Sequence, residues 1–240
     1  MNSKIKTTRL KSLKLFKKAF LTNFLKFHYS QFGEDIILRE ILKKEVSNGF
    51  YVDVGCYHPK KFSNTYMLFK KGWSGINIDM EEDKINLFNI VRPRDFNVLS
   101  PISDKEEVVT LYRFGKYGLG STIDKKIASE TTDHIYDKTS VKTHTLNDVI
   151  DNSPFKDRQI DVLSIDVEGV DLKVLKSLNI KQYSPKIIII EDHHKKIEDI
   201  LETDTFKFLV QNNYVLRSWS FYSLIFILPG SDIFKDRENN

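Results

Sequence analysis

Four sites along this chain place carboxylates at the ends of apolar runs: Asp53, Asp79, Asp166 and the pair Glu191-Asp192. The first lies in Gly49-Phe-Tyr-Val-Asp-Val-Gly-Cys-Tyr-His-Pro59 and is followed closely by Gly55. The second closes Gly75-Ile-Asn-Ile-Asp79, 26 positions later. An acid ending the second strand of an α/β unit can accept hydrogen bonds from a ribose diol, which predicts a nucleoside ligand. The loop after the first acid has Tyr57 and Pro59 where G-x-G-x-x-G would hold its later glycines, so a pyrophosphate fits poorly. No G-K-[ST] triplet marks a P-loop. S-adenosylmethionine (SAM), with its cationic sulfonium and amino groups, suits an acidic rim better than NAD does. The competing reading is that each acid only caps the helix that follows it.

The second segment is Asp161-Val-Leu-Ser-Ile-Asp-Val-Glu-Gly169, in which Asp166 and Glu168 flank a turn from strand to helix. An alcohol must lose its proton as it attacks a methyl group, so a base or a metal is needed. Asp166 is the first candidate for the base, and a helix-capping role is its alternative. The third segment, Glu191-Asp-His-His194, offers His193 as a base without a metal. Asp166, Glu191 and Asp192 could instead hold Mg²⁺ through oxygen ligands, an arrangement less favoured than the metal-free one. His58 and His144 read as structural or solvent-facing. Cys56 sits in an acidic setting unsuited to a nucleophile.

The elements that must position these groups alternate between strand and helix. Strands are expected at 50–53, 74–79, 95–101, 160–165 and 186–190, with an alternating edge strand or insertion at 108–114. Helices are expected from Ser30, which is placed to cap the first of them, and over 65–71, 81–90, 170–178 and 195–211. Ser63 or Asn64 caps the helix at 65–71, and Gly72 ends it. Residues 214–219 and 224–228 read as a terminal hairpin. The stretch 115–139, rich in Gly, Ser, Thr, Asp and Lys, reads as loop over a pocket. The expected fold is therefore α/β: a doubly wound, mostly parallel Rossmann-like sheet with an antiparallel C-terminal hairpin. Acids at several strand ends would then share one rim, where such sheets bind ligands.

In front of this domain (30–234) stands an arm, residues 1–29; a short flexible tail (235–240) follows it. The arm has eight basic residues, no acid precedes Glu34, and the rest of the chain carries about −4 of the net +4. Leu13, Phe16, Phe20, Phe24 and Phe27 recur at steps of three and four, with Lys11, Lys14 and Lys18 on another face. That pattern predicts an amphipathic helix that docks on the domain, pairs two subunits or lies on an anionic membrane. It is not a signal peptide, because lysines interrupt the apolar part. The acidic body lacks a basic, aromatic-rich face, so nucleic acid is not an expected partner. The single cysteine excludes an internal disulfide and suits a reducing compartment. No apolar run approaches the roughly 18 residues of a membrane span. A cytoplasmic protein is expected, with peripheral contact at the inner membrane face as a further option.

With these segments placed, the chain resembles the FkbM family of SAM-dependent methyltransferases. The resemblance runs through Ser30-Gln-Phe-Gly-Glu-Asp35, Tyr51-Val-Asp-Val-Gly55, Ser63-Asn-Thr65 and Gly72-Trp-Ser-Gly-Ile-Asn-Ile-Asp79. It continues through Ile102-Ser-Asp104, Thr145-Leu146 with Asp148, Ile165-Asp-Val-Glu-Gly169 and the stretch from Pro185 to Glu191. The resemblance implies a class I methyltransferase fold and O-methylation of a hydroxyl, often on a sugar or a secondary metabolite. It further implies that Asp53 and Gly55 form the SAM loop, Asp79 binds the ribose, and Ser103 and Asp104 lie near the adenine. Asp166 and Glu168 would face the reaction centre. Asp79 stands where many members have glutamate, and Tyr57-His58-Pro59 makes the first loop poorer in glycine than is usual. A small-molecule or glycan acceptor is the expected partner. A non-catalytic nucleoside-binding module is the rival.

Overall fold

The computed structural model describes residues 2–20, 27–42, 48–114, 120–132 and 134–231. The tail expected at 235–240, and Phe24 of the arm, lie outside them. The chain begins with α1 (Asn2–Phe20) and α2 (Glu34–Ile41), then β1 (Phe50–Val54), α3 (Tyr66–Lys70), β2 (Ser74–Asp79), α4 (Glu82–Val91) and β3 (Phe96–Leu99). An inserted stretch follows: β4 (Val108–Phe114), β5 (Gly120–Thr122), α5 (Lys125–Glu130) and β6 (Ile135–Lys142). The main sheet then resumes through α6 (Leu146–Asp151), β7 (Val162–Ile165), α7 (Asp171–Lys176), α8 (Ile180–Tyr183) and β8 (Ile187–Glu191). It ends with α9 (Ile197–Glu202), α10 (Asp204–Gln211), β9 (Val215–Ser220) and β10 (Ser223–Ile227).

The seven-stranded sheet has the order β3-β2-β1-β7-β8-β10-β9. Strands β3, β2, β1, β7 and β8 run parallel, and β10 pairs antiparallel with both β8 and β9. Parallel strands are buried on both faces and so are nearly continuous in apolar residues. Phe50, Val52, Val54, Ile76 and Ile78 face a core completed by α6, α7, α9 and α10. Tyr51, Val162, Ile187 and Ile189 point the other way, against Leu38 and Ile41 of α2 and Leu68 of α3. The expected doubly wound sheet with a closing antiparallel hairpin is the one observed.

Three local expectations are corrected. The segment expected to be loop at 115–139 contains β5, α5 and the start of β6, and β5-β4-β6 form a small antiparallel sheet. β4 is the alternating strand expected at 108–114, whereas β6 is half-buried or exposed over a polar sequence, so no apolar alternation announced it. The helix expected at 195–211 is two helices, because Thr203 ends α9 and caps α10: its Oγ1 donates to the Ile200 carbonyl and accepts from Phe206 N–H. The cap of α2 is Gly33, in the left-handed region at φ 87°, not Ser30. The Ser30 hydroxyl still caps from outside the helix: it accepts Asp35 N–H of the first turn at 3.2 Å and donates to the Asp35 side chain. Residues 11–20 of α1 are exposed throughout, including Leu13, Phe16 and Phe20. Among the described residues no helix is long and apolar enough to cross a membrane.

Candidate active site

Chain order reverses between β1 and β7, where an open α/β sheet leaves a crevice at the carboxyl ends of its strands. A cavity of about 300 Å³ occupies that place, lined among others by Gly55, Tyr57, Asp79, Lys84, Asp166 and Glu168. That volume is within the range of small-molecule sites.

Asp79 ends β2 almost fully buried. Its Oδ2 accepts from Tyr57 N–H at 3.0 Å and its Oδ1 from Glu81 N–H at 3.0 Å. Lys84 Nζ lies 3.5 Å from Oδ2. Burial raises the Asp79 carboxyl, while Lys84 and the two backbone donors pull it down. A carboxylate has about four acceptor positions, so capacity remains toward the cavity after these contacts. The residues present therefore fit a nucleoside diol at Asp79.

The loop between β1 and α3 keeps its shape with little glycine. Tyr57 takes φ 52°, a conformation costly for a bulky residue, and Asp79 holds its N–H. Beneath the loop lies Arg92, which has no exposed surface. It donates to the Pro59 carbonyl through Nε (2.9 Å) and Nη2 (2.6 Å), and to Ser63 Oγ, Thr65 Oγ1 and Asn77 Oδ1. Thr65 Oγ1 in turn donates to Asp53 Oδ2 at 2.5 Å. Asp53 thus turns toward Thr65 and Arg92 and is not among the residues lining the cavity. Burial raises its carboxyl, opposed by Arg92 and the Thr65 hydroxyl.

Gly55 does line the cavity, and it is also required by packing. At φ 76°, a Cβ there would stand 1.7 Å from the Asp166 carbonyl oxygen, so only glycine lets β1 and β7 end side by side. The Cys56 thiol is buried and pushed well up by burial and by Asp79 and Asp53, in keeping with its exclusion as a nucleophile. His58 Nδ1 accepts from the N–H groups of Lys60 and Lys61, a turn-forming role.

On the β7 side, Asp166 is exposed to the cavity and has other acids around it. The protein packed around it pushes its carboxyl well above the usual range by desolvation, and the charges of Glu191, Asp171 and Glu168 push it further. Glu168, at φ 54°, is raised by burial and by Glu191, and lowered by His193 and Lys84. Asp171 accepts from Val167 and Gly169 N–H and so fixes this turn. Burial brings its own pKa to about 6. His193 is largely exposed, with Nε2 3.2 Å from Glu191 Oε2, and that contact holds its imidazole above the ordinary value.

Asp192 turns away from this group: its Oδ1 takes His194 N–H and His194 Nδ1. The set Asp166, Glu191 and Asp192 is therefore not brought together as a cation site. Glu168, Glu191 and His193 are, with one ligand atom each within 4.8 Å of the others. Ser103 and Asp104 bond each other and do not line the cavity; Ser100 and Pro101 do.

The small sheet closes one side. Glu81, next to the Asp79 turn, receives Arg113 Nε on both oxygens and Ser121 Oγ at 2.6 Å. Thr122 Oγ1 donates to the Glu168 carbonyl, and Gly169 has room only for hydrogen against Ile127. Sequence reasoning missed Arg92, Lys84, Glu81 and Ser121. Only Lys84 carried a signal, as a cation five positions beyond the strand-end acid Asp79.

The model of the methyltransferase FkbM domain matches residues 53–216, about two thirds of the chain and all of the cavity's acids. The chain belongs to the FkbM methyltransferase family. Its sheet is of the class I methyltransferase kind, and membership of the family supports SAM as the methyl donor. No curated protein matches it. Among solved structures, a TehB-like SAM-dependent methyltransferase from Corynebacterium glutamicum aligns over 92% of this chain and 97% of its own, at 10% identity and a TM-score of 0.38.

Proposed function

We propose that this FkbM methyltransferase transfers the methyl group to a hydroxyl, with a sugar of a surface glycan or its precursor as the acceptor. The observation that carries the reading is Asp166: a carboxylate opening onto the same cavity as the diol-binding candidate Asp79 and raised by the protein and acids crowded around it. Asp79, Gly55 and Tyr57 would hold the donor, which supplies an electrophilic methyl carbon when bound. An alcohol cannot attack while it keeps its proton, and a carboxylate raised toward neutrality is a far better base than an ordinary aspartate. Asp166 takes that proton, and the negative charge of Glu191 beside it favours the protonated form. His193, paired with Glu191 at the cleft mouth, offsets part of the negative field and is a positioning residue here, in place of the base expected from sequence.

On this reading no metal is required. Chelation with EDTA should leave methylation of a glycan acceptor by labelled SAM unchanged. Loss of activity restored by Mg²⁺ or Mn²⁺ would move the proton step to a cation held by Glu168, Glu191 and His193. The test of the function is a gain of one methyl group on a hydroxyl of a purified glycan, lost in a deletion strain. Methylation found only on nitrogen or carbon would refute it.

The exposed Leu13, Phe16 and Phe20 of α1, with Lys11, Lys14, Lys17 and Lys18, suit an anionic lipid surface carrying such an acceptor. The full chain should sediment with phosphatidylglycerol vesicles at low salt, and a chain lacking residues 1–27 should stay in the supernatant. Equal sedimentation of the two would remove that role.

A further inference from the structure

The hairpin between β9 and β10 turns through two residues, Phe221 and Tyr222, since Ser220 pairs with Ser223. Phe221 takes φ 57°, at a turn position that favours glycine. A bulky residue there is strained, and strain of this kind collects where a side chain has a task. The Phe221 ring is 66% exposed, so packing in the core does not explain it.

The ring is nevertheless held in place. It stacks on Phe32 with centroids 4.8 Å apart and planes 14° apart, and Tyr222 meets both rings edge-on. Ser220 Oγ donates to the Phe32 carbonyl, and Ser223 Oγ to Glu34 Oε1, whose partner oxygen takes Phe32 N–H. The result is a fixed aromatic surface joined to the active-site cleft at two points. Gln31, next to Phe32, lines the cavity. The His193 ring lies 4.9 Å from that of Tyr222, and His193 contacts Glu191 beside Asp166.

We propose that Phe32, Phe221 and Tyr222 form the acceptor subsite, and that it takes the apolar face of a neutral sugar. This rests on the O-methyltransferase reading of the cleft. The face of an aromatic ring is negative, and the C–H groups lining one side of a pyranose are weakly positive, so the two stack. The sugar hydroxyls then point outward toward acceptors such as Asp166 and Glu168. Four nearby carboxylates (Asp166, Glu168, Asp171, Glu191) against His193 and Lys84 make the cleft net negative. A uronic acid is therefore repelled and a neutral sugar is not.

Saturation-transfer NMR on the full chain tests this with three probes: methyl β-D-glucopyranoside, methyl β-D-glucuronoside and catechol. The glucoside should bind saturably, with its axial C–H protons giving the strongest signals, and the glucuronoside more weakly. Phe221→Gly removes the ring while suiting the backbone, so the fold should be kept and glucoside affinity should fall about tenfold. Phe32→Leu should weaken binding in the same direction. Calorimetry with SAM on the same samples should show unchanged donor binding in both variants. No saturable glucoside signal, equal affinity in Phe221→Gly, or binding of catechol in preference to the sugar would overturn the proposal. Glucoside binding that persists in a chain unable to bind SAM would support the platform and sink the methyltransferase reading beneath it.

Discussion

Replacing Asp166 by asparagine should lower the methyl-transfer rate about 10²–10⁴-fold, the usual contribution of a positioned base, while SAM still binds. Asparagine keeps the shape and leaves the backbone carbonyl that Gly55 packs against, but it cannot accept the proton. The pH profile provides a second check. Desolvation and the carboxylates of Glu191, Asp171 and Glu168 raise the Asp166 carboxyl, so its base form is lost as pH falls through that raised value. The wild-type rate should therefore drop on acidification at a pH above the ordinary carboxylate range. Glu191→Gln removes one of the raising charges and should shift the profile to lower pH. Near-normal turnover in Asp166→Asn, or a wild-type profile flat from pH 4 to pH 8, would assign the proton to another group.

The largest effect on stability is expected at Arg92, far from any obvious chemistry in the sequence. Arg92→Met keeps the apolar stem but leaves the Pro59 carbonyl without its two donors. It also removes the cation that Asp53 reaches through Thr65. Deleting one partner of a buried charge network costs about 3–5 kcal/mol. For a domain of this size that corresponds to a Tm lower by about 6–20 °C. Thr65→Val should produce a smaller loss through the same connection. A Tm within about 2 °C of wild type for Arg92→Met would show that the network is not what holds the first loop.

These two residues also mark how far the sequence could be read. Asp166 was legible because its signal is local: an apolar run, an acid and a glycine within a few positions. The same is true of Asp79 and of the parallel strands, whose burial on both faces leaves unbroken apolar runs. Arg92 was not legible, because its partners Pro59, Ser63, Thr65 and Asn77 lie 15 to 33 residues away. Next to Val91 and Pro93 it resembles an ordinary cation at a helix end. Asp53 was assigned to the cavity because a strand-end acid carries no mark of which face it takes. The alternation along β1 puts it on the side of Tyr51, toward Arg92. In the small sheet β4 was legible, but β6 was hidden for a different reason: it is half-buried or exposed over a polar sequence. The break at Thr203, by contrast, carried a capping threonine that could have been read.

The central claim is that Asp79, at the end of β2, binds the ribose of SAM in this cleft. Isothermal calorimetry with SAM, S-adenosylhomocysteine and NAD on wild type and Asp79→Ala tests it most directly. Hydrogen bonds to a charged acceptor contribute about 1.5–3 kcal/mol each, so losing two should weaken SAM by about 100-fold or more. The account predicts SAM and S-adenosylhomocysteine binding in wild type, no NAD binding, and that loss in a folded Asp79→Ala chain. Tight NAD binding without SAM binding, or unchanged SAM affinity in Asp79→Ala, would contradict it.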